Sequence, residues 1–274
     1  MTAPDGQRLT LHHAGTTRAP VLVLGNSLGT DRRLWAATVA ALGADFHIVC
    51  FDAPGHGGQA EFTHMGQDAT LGDLGTALLD ALDAAGIGTF RYCGVSMGAA
   101  IGIELALAAP HRLEALVLAN TAARFAPNAE ARQFWEARID KARAAGTAAI
   151  AEATVARWLT PAHAGRQPAL HRSLVEMFGA TTVAGYAACA SAVMRFDRTA
   201  ALAAIDVPTL VIAGTEDLAT PPALGQALHR AISGSRYLEL PVAHLAPLGA
   251  PEAFHTAVRA FLASPTVFSP TFPL

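Results

Sequence analysis

Two hydrophobic rhythms divide this chain. Short β-prone runs recur at Pro20–Leu24, Phe46–Phe51, Thr89–Cys93, Leu113–Ala119, Val207–Gly214 and Arg236–Leu240, with an opening strand expected over residues 7–12. The continuously apolar ones suit strands covered on both faces of a parallel sheet. Between them lie stretches of helical spacing: 33–42, 71–85 (with Leu71, Leu74, Leu78 and Leu82 on one face), the apolar segment that Pro110 stops, 222–232 and 251–262. Strand and helix alternating in this way predict an α/β fold with a mostly parallel central sheet flanked by helices.

The alternation breaks once. From Arg124 to about Arg195 the chain is Ala-rich and helical, with segments near 129–144, 147–159, 168–178 and 181–194 and no strand among them. Four helices inserted between strands predict a cap over the sheet. The expected organisation is a core over 1–122, a cap over 123–197, the rest of the core over 198–263 and a C-terminal tail over 264–274. Three prolines in the last ten residues leave that tail little reason to be helical.

Composition narrows the function. Hydrophobic residues make up 52% and charged ones 15% of 274 residues, which fits a globular chain with a sizeable core. A formal charge of −3 without a long basic run provides no footprint for nucleic acid. The N-terminus lacks the basic start and apolar block of a signal peptide, and no apolar run approaches the roughly 20 residues of a membrane span, so a cytoplasmic protein is expected. Cys50, Cys93 and Cys189 are few and far apart, which points to buried thiols rather than disulfides, and they show no metal-ligand spacing.

Candidate chemistry centres on Gly94-Val95-Ser96-Met97-Gly98, a G-x-S-x-G pattern between a β-prone run and an apolar helix. Such a turn strains its serine so that the hydroxyl stands above the sheet, and flanking glycines give it room. Ser96 is the candidate nucleophile. Acyl transfer also needs two backbone amides converging on the developing oxyanion, one after the nucleophile and one from a loop after an early strand. Met97 and Leu28, the latter in the small-residue loop 25–31, supply these candidates.

A serine needs a base, and the base needs an orienting carboxylate, each beyond a strand's C-terminal end, in the order nucleophile, acid, histidine. Asp217 follows one late strand and His244 the next. Glu216 reads as a solvated neighbour, and Asp206 precedes its strand. Asn120 occupies an alternative place for the acid, but an amide cannot balance an imidazolium by charge. His56, between two glycines, reads as a loop-packing residue rather than a base.

With these residues in place, the chain resembles the α/β-hydrolase fold superfamily over nearly its whole length, and within it the 3-oxoadipate enol-lactonases of aromatic catabolism. The carrying stretches include NSLGTDRRLW (26–35), YCGVSMGAAIG (92–102), GYAACASAV (185–193) and TLVIAGTEDLATPPALG (209–225). The resemblance implies hydrolysis of 3-oxoadipate enol-lactone with no cofactor or metal, and a small-molecule partner that carries a carboxylate. Arg138 and Arg157, beside Trp135 and Trp158, are candidates to meet that carboxylate, and Tyr186 joins them as a candidate pocket residue. A carbon-carbon bond hydrolase, a carboxylesterase or a perhydrolase on the same triad are the alternatives, and the intact set disfavours a non-catalytic receptor.

Overall fold

In the computed structural model, residues 8–61 and 68–264 are described, so most of the expected tail and residue 7 of the expected first strand lie outside the described residues. In chain order the elements are β1 (Leu11–Gly15), β2 (Val21–Gly25), α1 (Ala36–Leu42), β3 (His47–Phe51), α2 (Leu71–Ala84), β4 (Phe90–Val95), α3 (Met97–Ala108) and β5 (Leu113–Ala119). The helices α4 (Ala129–Ala145), α5 (Ala148–Val155), α6 (Pro161–Arg166), α7 (Pro168–Gly179) and α8 (Val183–Arg195) follow. The chain closes with β6 (Thr209–Gly214), α9 (Pro222–Ala231), β7 (Arg236–Leu240), α10 (Ala246–Gly249) and α11 (Pro251–Ala263).

The seven strands form one sheet in the order β1-β3-β2-β4-β5-β6-β7. Only β1 is antiparallel, pairing Leu11 with Phe51 and Gly15 with His47, which sets the first strand later than the sequence predicts. The order reverses between β2 and β4. After β2 the chain turns one way to β3, then crosses back to β4, so the loops leaving β2 and β4 part company and open a crevice at the sheet's C-terminal edge. The site described below lies there.

Close packing at that edge depends on glycine. A Cβ on Gly98 would sit 2.2 Å from the carbonyl carbon of Gly25, and one on Gly94 would sit 2.4 Å from the carbonyl carbon of Gly98. Without these side chains α3 seats directly against β2 and β4, and the Tyr92 hydroxyl donates to the Gly98 carbonyl at 2.8 Å. The α3 helix is buried nearly all round, which explains its lack of a polar face.

The insertion between β5 and β6 holds five helices rather than four. The sequence reading missed α6, which is only six residues long and carries no apolar periodicity. Thr160 caps its amino end by accepting from the His163 amide, and Pro161 supplies its first turn. At its base the insertion closes on itself: Arg124 bridges Asp197 in an antiparallel pair, and the Arg198 amide donates to the Ala123 carbonyl at 2.9 Å. It is also tied to the core loops. The Thr182 amide donates to the Gly55 carbonyl at 2.9 Å, and Phe178 covers Gly29, where a Cβ would lie 2.2 Å from its ring.

Candidate active site

Ser96 occupies the turn between β4 and α3 with φ of 56° and ψ of −115°, a conformation that L-residues rarely adopt. Its amide donates to the Ala119 carbonyl at 2.9 Å, and the Thr121 hydroxyl donates to the Ser96 carbonyl at 2.9 Å, so both backbone faces of the strained residue are held. The hydroxyl is then free to reach His244, whose Nε2 lies 2.9 Å from Ser96 Oγ. On the other side of the ring, Nδ1 lies 2.8 Å from Asp217 Oδ2. Donation from Nδ1 to the carboxylate leaves Nε2 as the acceptor for the serine proton. All three side chains are buried, the serine at 8% exposure and the other two at 3%.

Residues 96, 217 and 244 therefore meet as the sequence reading expects, although they arrive from the ends of β4, β6 and β7. The loop after β6 folds around the carboxylate. Asp217 Oδ1 accepts from the amides of Ala219 at 2.8 Å and Thr220 at 2.9 Å, while Oδ2 accepts from the Thr220 hydroxyl at 2.7 Å and Asn120 Nδ2 at 3.1 Å. Burial opposes the charged form, but attraction to His244, its hydrogen bond and the donors from Thr220 overcome that penalty. The carboxyl thus lies well below the usual carboxylate range. Glu216, next to Asp217 in the chain, is exposed.

The two residues expected to supply the oxyanion amides border the same space. Leu28 and Met97 both line a cavity of about 420 Å³ that also exposes Ser96 and His244. The Leu28 loop is braced from below by His56, which is 0% exposed. Its Nε2 accepts from the Gly29 amide at 3.1 Å, so Nδ1 donates to the Pro54 carbonyl at 3.0 Å. Both ring nitrogens are occupied, which matches the expected packing role. Burial lowers its pKa, against the opposing pull of the Pro54 carbonyl and of Asp52 and Asp31.

The roof of the cavity comes from the helical insertion. Trp135 and Arg138 project from α4, with Arg157 and Trp158 just beyond α5, and all four line the space. Arg138 Nη2 donates to the Thr154 hydroxyl at 2.9 Å, and Arg157 Nη2 donates to the Leu218 carbonyl at 2.9 Å. Both guanidiniums stack over the Phe134 ring, at 5.4 and 5.3 Å. Neither forms an ion pair among the described residues, and the Arg138 Nε is buried without a hydrogen-bond partner. Burial lowers the Arg157 pKa and the Arg138 charge lowers it further, while Asp217 pulls the other way.

Tyr186 corrects the sequence reading. It is 0% exposed, contributes nothing to the cavity lining, and packs edge to face against Phe178 at 5.4 Å. Its place on the inner side of α8 makes it cap core rather than pocket wall. Phe134, Thr154 and Phe178 line the cavity but were not singled out from sequence. Phe134 was legible in principle, since it stands one helical turn before Arg138. Phe178 was not, because its contact with Gly29 joins segments about 150 residues apart.

Among the described residues no group of three or more His, Cys, Asp or Glu side chains could hold a metal ion. The three cysteines are free and buried, and burial pushes Cys50 and Cys189 up to about 12, which makes them poor nucleophiles.

The sheet, the strained serine turn and the relay at its edge define a hydrolase of the α/β class. A family profile described as alpha/beta hydrolase fold matches residues 20–251, and the chain belongs to that family. It is 34% identical to 3-oxoadipate enol-lactonase 2 of Acinetobacter baylyi, across 96% of this chain and 95% of that protein. A crystal structure of the enol-lactonase from Burkholderia xenovorans superposes with a TM-score of 0.88 at 37% identity, covering 93% of this chain and 96% of the other. RutD of Klebsiella pneumoniae, named for carbamate hydrolysis, is 33% identical across 85% of this chain and 87% of its own.

Proposed function

We propose that this hydrolase opens 3-oxoadipate enol-lactone to 3-oxoadipate through a serine acyl-enzyme. The observation that carries the reading is the pairing of the relay with a roof of two guanidiniums lacking carboxylate partners, in one cavity. Ser96 Oγ attacks the lactone carbonyl as His244 Nε2 takes its proton, and Asp217 balances the imidazolium. The amides of Leu28 and Met97 receive the oxyanion. Collapse breaks the ring C–O bond and releases an enolate, which takes a proton from His244 and becomes the ketone of the still-attached acyl chain. Water, deprotonated by His244, then attacks the acyl carbon; the bond from that carbon to Ser96 Oγ breaks, His244 returns the proton to Oγ, and the second carboxylate leaves with the product.

The substrate's own carboxylate would face Arg138, with Arg157 as the second cation. The expected result is efficient turnover of enol-lactone generated from muconolactone, with a kcat/KM at least about a hundredfold above that for a neutral nitrophenyl ester. Similarity to RutD supports a second reading, hydrolysis of a carbamate on the same relay. Turnover of small carbamates or neutral esters with no activity on the lactone would replace the first reading by the second.

A further inference from the structure

Only two non-glycine residues among those described adopt positive φ, and both stand at the C-terminal edge of the sheet. One is Ser96. The other is Asn120, with φ of 48°, which directly follows β5 and is 1% exposed. Asparagine tolerates this conformation better than most residues, yet a buried one held there calls for a reason.

The reason lies in what its amide joins. Asn120 Nδ2 donates to Asp217 Oδ2 and to the Ala243 carbonyl, each at 3.1 Å. Its Oδ1 accepts from the Ala246 amide at 3.4 Å, so one side chain spans the acid and both flanks of His244. Its own amide donates to the Ile212 carbonyl at 2.8 Å, extending the β5–β6 pairing to the root of the acid loop. The next residue completes the connection, because the Thr121 hydroxyl holds the Ser96 carbonyl. Space for this amide exists because position 214 is glycine: a Cβ there would lie 3.0 Å from Asn120 Nδ2 and 2.4 Å from the Ala243 carbonyl oxygen.

We propose that Asn120 is a positioning residue that keeps the Asp217 carboxylate and the His244 loop in register, while Thr121 fastens the nucleophile turn to the same segment. Asparagine suits the post because a neutral donor fixes Asp217 Oδ2 without adding charge beside a buried carboxylate. The two N–H groups on one nitrogen let a single side chain reach two loops. The inference rests on the serine mechanism proposed above, but not on the identity of the lactone.

The test uses the full chain with 4-nitrophenyl acetate and the enol-lactone, alongside Ser96→Ala. Asn120→Gly permits the same backbone conformation and removes only the amide. We expect its kcat to fall about 10- to 100-fold on both substrates while KM changes less than about threefold, since misplacement of a relay by less than an ångström acts on the chemical step. Asn120→Asp gives a second readout. In that variant a protonated carboxyl at position 120 can donate to Asp217 in place of the amide, so at low pH the ratio of its kcat to the parent's at the same pH should stay near one. It should fall as pH rises and the second carboxyl ionises, because like charges at this distance resist joint ionisation. The titratable and charged groups facing position 120 are Asp217 and His244, with Arg157 acting on Asp217 from the roof. The parent and Asn120→Gly should lack this descending limb.

If Asn120→Gly does not fold, the Asn120→Asp pH profile and the kcat of Thr121→Val carry the test. A kcat within threefold of the parent for Asn120→Gly, or a parental profile for Asn120→Asp, overturns the inference. Ser96→Ala activity equal to the parent's instead overturns the serine mechanism beneath it.

Discussion

The floor and the roof of one cavity follow opposite rules. In the floor the reacting groups and their supports are paired: Asp217 accepts five hydrogen bonds, His244 and His56 use both ring nitrogens, and the turn of Ser96 is held through its amide and carbonyl. In the roof, Arg138 and Arg157 hydrogen-bond to a hydroxyl and a carbonyl, share the Phe134 ring and form no ion pair among the described residues; Arg138 also acts on the buried Tyr186 hydroxyl, and its Nε is left without a hydrogen-bond partner. A buried polar group left unsatisfied raises free energy, so chains rarely keep one without compensation. The contrast supports the proposed division of labour, in which floor geometry governs the chemical step and roof charge selects the molecule that undergoes it.

The largest effect should come from the floor. Asp217→Asn preserves shape but favours the wrong imidazole tautomer, and kcat should drop by roughly 10⁴-fold. Glu216→Gln, one residue away and exposed, should change kcat by less than about twofold. Steady-state kinetics of the two variants checks this, and a reversed order would mean that the acid had been misassigned. A smaller, selective effect should come from the roof. For a substrate bearing a carboxylate, Arg138→Gln should raise KM about 10- to 100-fold, the range of a hydrogen bond to a charged group. For a neutral ester the change should be under about threefold. An equal loss on both substrates would show that Arg138 shapes the roof rather than reading charge, and the division between the two halves would fail.

The same division explains what the sequence disclosed. The strands and the elbow were legible because continuous apolar runs and paired glycines are local signals, and the acid and histidine followed from their places after β6 and β7. The cap yielded its helices but not their contacts. A short helix without apolar periodicity, α6, escaped. Tyr186 looked like a pocket residue because nothing local distinguishes the inner from the outer side of α8 when small residues run round the helix. Asn120 was weighed only as a place for an acid. Its bridging role arises from three strand ends meeting in space, which no spacing in the chain records.

The smallest effect tests whether the His56 ring must stay uncharged beneath the Leu28 loop. His56 is buried and its native pKa lies below that of an unfolded histidine, near 6.5. Above about pH 6.5 neither state binds the proton, and the stability this neutral ring contributes is complete. As pH falls from there towards the native pKa, only the unfolded chain takes up the proton, and stability is lost by up to about 1.4 kcal/mol per pH unit. His47 and His255 are also lowered by burial and add slopes of their own, so the comparison must be with a variant rather than with theory. In a His56→Gln variant the introduced amide can still accept from the Gly29 N–H but has no proton to gain. Its urea-unfolding free energy should therefore fall less steeply than the parent's between pH 6.5 and 5.5, while its kcat at pH 7.5 stays within about tenfold. Parallel curves would mean that His56 takes up its proton without leaving the fold, and that the oxyanion loop tolerates a charge that its present hydrogen bonds exclude.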